Sequence, residues 1–136
     1  MRPTLLIDTH VWLWWILGQN DLPEKERTAL DAMAAAGSPP AITAISLWEI
    51  QMLLHKGRLH IEEPLTHWLP TAAAPEVVTV IPMDVRVILA LDGLPKSFHG
   101  DPADRIIVAS ARAMGVPLAT HDANIRRSRS VKIWKP

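Results

Sequence analysis

With 136 residues, 49% of them apolar, the chain is too hydrophobic to be disordered and is the size of one domain with one real core. Fourteen Lys and Arg balance fourteen Asp and Glu, so net charge neither argues for a polyanionic partner nor excludes one; local patches decide that. The absence of cysteine rules out a disulfide framework and a thiolate metal site, and suits a reducing cytoplasm.

Residues 4–7 are a short apolar run that ends at Asp8 and predicts a buried strand. The stretch 5–17 is apolar enough to imitate a leader or a membrane segment. Asp8 and His10 interrupt it, it falls short of the roughly 20 residues that span a bilayer, and no small-residue cleavage site follows, so no membrane association is expected. Residues 11–17 read as a helix stopped at Gly18. Pro23 opens a second helix to about Ala36, where Gly37 and two prolines end it. Residues 41–42 predict a short strand, 46–56 a strong helix closed by Gly57, and 64–74 another helix. The β-branched run 77–81 is the clearest strand. Helices over 84–91 and 102–114 follow, the latter closed by Gly115, then a strand over 116–119 and a candidate final strand over 131–133. Short, continuously apolar strands alternating with helices indicate a parallel sheet covered on both faces. The expected fold is α/β, a three-layer α/β/α arrangement with a central parallel sheet, in a single domain over residues 1–136. Sites in such sheets form outside the carboxyl ends of the strands.

Two acids stand at those ends. Asp8 directly follows the first strand, and Asp122 lies just beyond the strand over 116–119; each alone also suits the N-cap of a following helix. Glu49 has Ile45, Ser46, Met52 and Leu53 three and four residues away, which puts it on or beside a buried stripe. A buried carboxylate must be paired, protonated or metal-bound. Two readings stand: with Ser46 as cap, Ser46-x-x-Glu49 is a capping box; with Thr43 as cap, the box fails. Asp104 falls in the first turn of a helix capped by Asp101 and opened by Pro102, where a carboxylate suits the helix dipole. Ile107, Val108 and Ala111 follow it at helical spacing, which aims it at the sheet edge, while Arg105 points about 100° away. Two carboxylates about 5 Å apart repel by roughly 3 kcal/mol at an effective dielectric near 20. Four together call for hard divalent cations, Mg²⁺ or Mn²⁺, and a pair of these clamps a phosphodiester.

The segments Leu6-Ile7-Asp8-Thr9-His10-Val11-Trp12, Ser46-Leu47-Trp48-Glu49-Ile50, His99-Gly100-Asp101-Pro102-Ala103-Asp104-Arg105 and Leu118-Ala119-Thr120-His121-Asp122 occur in an order that resembles the PIN-domain family, and within it the VapC-type toxins of toxin–antitoxin pairs. The resemblance spans nearly the whole chain. It implies a PIN fold, a Mg²⁺- or Mn²⁺-dependent endoribonuclease that cuts RNA by a two-metal mechanism, a cognate antitoxin partner and a homodimer. It also implies Asp8, Glu49 and Asp104 as the core metal-binding acids and Asp122 as the more variable fourth, with Asp101 beside the set.

Other features carry competing readings. Arg126, Arg127, Arg129, Lys132 and Lys135 follow the last acid, either as a grip on RNA phosphate or as a solvated tail. His10, His99 and His121 each lie within two residues of an acid, which admits a mononuclear zinc hydrolase, but no HExxH-type spacing is present. Trp12, Trp14, Trp15 and Trp48 most simply fill the core, but three tryptophans on one helix exceed what one face buries, so part of that surface is expected to meet a partner. A haloacid-dehalogenase-like phosphatase wants a second Asp where His10 stands, and a response-regulator receiver wants paired acids near the first strand. The alternative to an enzyme is a catalytically inactive PIN-like interaction module.

Overall fold

The computed structural model describes residues 2–98 and 100–136. Four strands, β1 (Leu6–Ile7), β2 (Ala41–Thr43), β3 (Thr79–Ile81) and β4 (Leu118–Ala119), form a parallel sheet in the order β3-β2-β1-β4. Between and after them come α1 (Thr9–Ile16), α2 (Glu24–Ala35), α3 (Ala44–His55), α4 (Leu65–Ala72), α5 (Val85–Asp92), α6 (Pro102–Met114) and α7 (Ala123–Ser128). Alternation along the strands separates two cores. Leu5, Ile7, Ile42 and Ala119 face a cluster with Val11, Trp12, Ile50 and Trp68, whereas Leu6, Ala41 and Leu118 face one with Val87, Ile107, Val108 and Ile125. The three-layer α/β/α arrangement expected from the sequence is therefore present. Because the order runs outward from β1 through β2 to β3 and places β4 on the other flank, the connections reverse direction between β1 and β4, the place where such sheets open a crevice.

Local chemistry sets the boundaries. Asp8 caps α1 by accepting the Val11 amide at 2.8 Å, so that helix starts at Thr9, earlier than the sequence suggested. Thr43 caps α3 without a side-chain bond, and the helix starts at Ala44. β3 is shorter than its β-branched run because the Val77 and Val78 amides both donate to the Ala74 carbonyl at the end of α4. Residues 131–133 contribute a single parallel bridge, Leu118 to Ile133. The tail is folded onto the sheet there: Leu118 N–H donates to Lys132 O and Trp134 N–H to Leu118 O, each at 2.9 Å.

The core reading of the tryptophans holds for Trp12 and Trp15 and fails for Trp48. Trp12 and Trp15 are buried, and their indole N–H groups are spent on Ala72 O (3.0 Å) and Asp31 Oδ1 (2.8 Å); Trp14 is half-buried. The outlying apolar surface is elsewhere. Trp48 on α3 is 53% exposed, and along β3 and α5 Val80, Met83, Val85, Ile88 and Leu89 are all exposed. α1 hides its rings because it has the sheet on one side and α4 and α2 residues on the others.

Candidate active site

Asp8 leaves β1 into the crevice beside β4. Its backbone N–H donates to Ala119 O (3.0 Å), and Thr120 Oγ1 donates to its Oδ2 (2.5 Å) while Oδ1 takes the capping bond. Only 6% of Asp8 is exposed, and burial pushes its carboxyl pKa up despite these donors. The residue is both a cap and a crevice carboxylate, so the two readings of the sequence are compatible.

Glu49 lies in the second turn of α3, which starts at Ala44, so the capping box fails. The side chain is 9% exposed and accepts from Thr9 Oγ1 at 2.5 Å, and Ser46 Oγ stands 2.8 Å from the same hydroxyl. Thr9 has one hydroxyl proton, so Ser46 is the donor to Thr9 and the chain runs Ser46 to Thr9 to Glu49. Burial raises the Glu49 pKa, and Asp101 and Asp8 add to the rise.

Asp104 sits in the first turn of α6, whose start is fixed by Asp101 Oδ1 accepting the Asp104 amide at 2.8 Å. Its pKa is pushed up to about 7, first by burial and then by the charges of Asp101, Asp122, Glu49 and Asp8. Asp8, Glu49, Asp101 and Asp122 therefore all bear on Asp104 across the crevice. Asp122 caps α7 through the Ile125 amide (2.9 Å), and its own amide donates to Thr120 Oγ1 (3.1 Å). Among the described residues no Lys or Arg is ion-paired with any of the five. Nor do three or more His, Asp or Glu side chains close tightly enough to hold a metal as they stand.

Among the described residues the histidines do not form a zinc set. His121 Nε2 is bound to Glu26 Oε1 and Oε2 at 2.8 and 3.0 Å; a carboxylate only accepts, so Nε2 carries the proton. His10 and His121 flank the Trp14 ring at centroid distances of 6.2 and 5.7 Å. His99 lies outside the described residues. In the basic tail, Arg126 Nε donates to Thr120 O at 2.9 Å and Arg127 to Asn124 Oδ1 at 2.7 Å, so part of this cluster is structural.

Sequence reasoning missed Thr9, Ser46 and Thr120, which orient the acids. The signal was present: a hydroxyl residue stands next to Asp8 and two before Asp122. It also missed the Glu26–His121 pair, which joins positions 95 residues apart.

Comparison with known proteins yields consistent matches. Residues 5–130 match the model of the PIN domain. A protein named Ribonuclease VapC22, from Mycobacterium tuberculosis (strain ATCC 25618 / H37Rv), is 33% identical over 134 residues, covering 96% of this chain and 98% of its own. The fold is similar to the crystal structure of VapBC2 from Rickettsia felis bound to a DNA fragment from their promoter, with TM-score 0.71, 16% identity, and 96% of this chain and 98% of that one covered. It is also similar to FitAcB from Neisseria gonorrhoeae, with TM-score 0.63, 21% identity and 96% of each chain covered.

Proposed function

The chain belongs to the PIN-domain family, and on that premise we propose that it is a metal-dependent endoribonuclease, the toxin of a toxin–antitoxin pair. The observation that carries the reading is the convergence of Asp8, Glu49, Asp104 and Asp122 at the β1–β4 crevice, where no Lys or Arg among the described residues is ion-paired with them. The name of the ribonuclease relative supports RNA as substrate, and the likeness to VapBC2 and FitAcB supports a cognate antitoxin partner.

The donor set is all oxygen and acidic, which fits Mg²⁺ or Mn²⁺. Asp8, Glu49 and Asp104 would hold such an ion, and Asp122 would support a second. When bound, the metal polarises the phosphodiester and lowers the pKa of a water. The chain supplies orientation. Thr120 and the Val11 amide fix the two oxygens of Asp8, Thr9 fixes Glu49, and Asp101 fixes the turn that carries Asp104. With its pKa pushed up to about 7, Asp104 gives up a proton when an ion binds at neutral pH, and the upward shifts of Asp8 and Glu49 act in the same direction.

RNA cleavage is expected with Mg²⁺ or Mn²⁺ and not with EDTA. Cleavage undiminished by chelator would remove the metal from the mechanism. Among the described residues no helix is long and apolar enough to cross a membrane.

Two apolar surfaces support assembly. The strip Met83, Val85, Ile88 and Leu89 suits a homodimer, and the groove of about 420 Å³ lined by Leu47, Leu65, Leu69 and Pro70 suits an antitoxin segment. Light scattering at micromolar concentration should give twice the chain mass, and Leu89→Glu should halve it. A parent protein that is monomeric there would remove the dimer and leave the enzyme untouched.

A further inference from the structure

A second hollow opens beside the acids, between α1 and α3, with a volume of about 390 Å³. Glu49 and Asp101 form one wall, so it communicates directly with the crevice. Trp14, Met52 and Leu59 give it an aromatic and apolar lining, to which Gln19 and Arg58 add polar groups. We propose that this cavity holds a nucleobase of the RNA strand next to the phosphodiester being cut, with Gln19 and Arg58 reading its edge. The inference rests on the ribonuclease reading above.

The placement of the two polar residues has a common cause. α1 and α3 pack together, and each ends on a glycine of positive φ, Gly18 at 66° and Gly57 at 70°. The residue after each glycine closes the same six-to-one hydrogen bond: Gln19 N–H to Trp14 O and Arg58 N–H to Leu53 O, both 2.9 Å. Two side chains rich in donors are thus delivered to one cavity by two copies of one helix-ending motif. Neither makes a side-chain hydrogen bond to any described residue. By contrast Arg27, Arg105, Arg112 and Arg126 are all spent on backbone carbonyls.

The chemistry of the hollow selects its occupant. Glu49 and Asp101 in its wall and the carboxyl ends of two helices offset the single Arg58 charge, so an uncharged group suits the cavity better than a phosphate. An uncharged aromatic group with mixed donors and acceptors suits it. The volume is in the range of small-ligand pockets. Single-stranded RNA is recognised through splayed bases that pack on aromatic and guanidinium planes and hydrogen-bond at their edges. Gln19 offers both a donor and an acceptor, and Arg58 a planar donor fork.

The test has two arms. In the first, the ¹⁵N-labelled protein is titrated with the four nucleoside 5′-monophosphates and followed by NMR. The Trp14 indole and Gln19 amide resonances should move, and Arg58→Ala, a change at an exposed residue, should weaken binding severalfold. In the second, cleavage of single-stranded RNA with Mg²⁺ is compared for the parent, Arg58→Ala and Met52→Trp, which fills the cavity. Each variant should lose about tenfold in kcat/KM, the scale of one lost stacking or bidentate contact. On an RNA made abasic beside the mapped cut, parent and Arg58→Ala should become equal. Cleavage by variants that match the parent, with Trp14 and Gln19 unmoved by any nucleotide, overturns the proposal and leaves the ribonuclease standing; a cavity that takes a peptide instead gives that result. Shifts at Trp14 and Gln19 without metal-dependent cleavage of any RNA would sustain base binding and sink the ribonuclease reading.

Discussion

Asp8 and Asp84 do the same local work. Each follows a strand, takes an extended backbone conformation and caps a helix by accepting the amide three residues on, Val11 at 2.8 Å and Val87 at 3.1 Å. Their surroundings differ because β1 lies inside the sheet and β3 at its edge. Asp8 is enclosed by β4, Thr120 and the other acids, whereas Asp84 stands in solvent next to an exposed apolar helix. The cap is a property of the segment. The chemistry comes from the position of its strand in the order.

That contrast is open to attack by substitution. Asp8→Asn, Glu49→Gln and Asp104→Asn keep shape and remove charge. Each should cost at least about a hundredfold in RNA cleavage, since even residues that only orient metal ligands are worth 10–100-fold. Metal-free melting temperatures should hold or rise, because one source of repulsion is gone. A Glu49→Gln protein that melts lower and cleaves normally would take Glu49 out of the site. Asp122→Asn should show a weaker loss than these three. Thr120→Val, which removes the donor to Asp8 Oδ2, should reduce cleavage about tenfold. An unchanged rate would mean that Asp8 needs no such orientation.

The next effect is on pH dependence. The folded protein keeps a proton on Asp104 up to about pH 7, while the unfolded chain releases it near pH 3.8. Between those values the native state binds more protons, so its stability falls as pH rises through the window. The raised pKa values of Asp8 and Glu49 act in the same direction. Metal-free protein should melt several degrees lower at about pH 8 than at about pH 5. Mg²⁺ should restore more at the higher pH, and Asp104→Asn should flatten the curve. A parent curve that rises with pH would contradict the repulsive acid cluster. The smallest effect belongs to the edge: Asp84→Ala should lower stability by about 1 kcal/mol and leave the cleavage rate unchanged. A large loss of activity there would break the comparison itself.

The acids were legible because each sits at a punctuation mark: Asp8 after an apolar run, Asp104 after Asp101-Pro102, Asp122 after another run, and Glu49 among apolar helical neighbours. Their convergence needed the strand order, which local patterns do not encode. α7 was not predicted because it is six residues long and presents one buried apolar residue, Ile125. The exposed strip on α5 was invisible for a related reason. Residues 85–91 are apolar nearly all round, so the pattern does not say which face is left to solvent. Trp14 and its neighbours misled in the opposite direction. Their burial depends on Ala72 and Asp31, contacts that no window around residue 14 contains.

The bond from Thr120 to Asp8 spans 112 positions of sequence. A ribosome makes Asp8 early and Thr120 late, and β1 has only β2 beside it until residues 118–119 emerge. Asp104 is also delivered late, on the helix just before β4. A growing chain thus carries half of this crevice for most of its synthesis. The crevice is complete only once the sheet closes around β1. Strand order therefore sets the point along the chain at which the crevice can first be assembled.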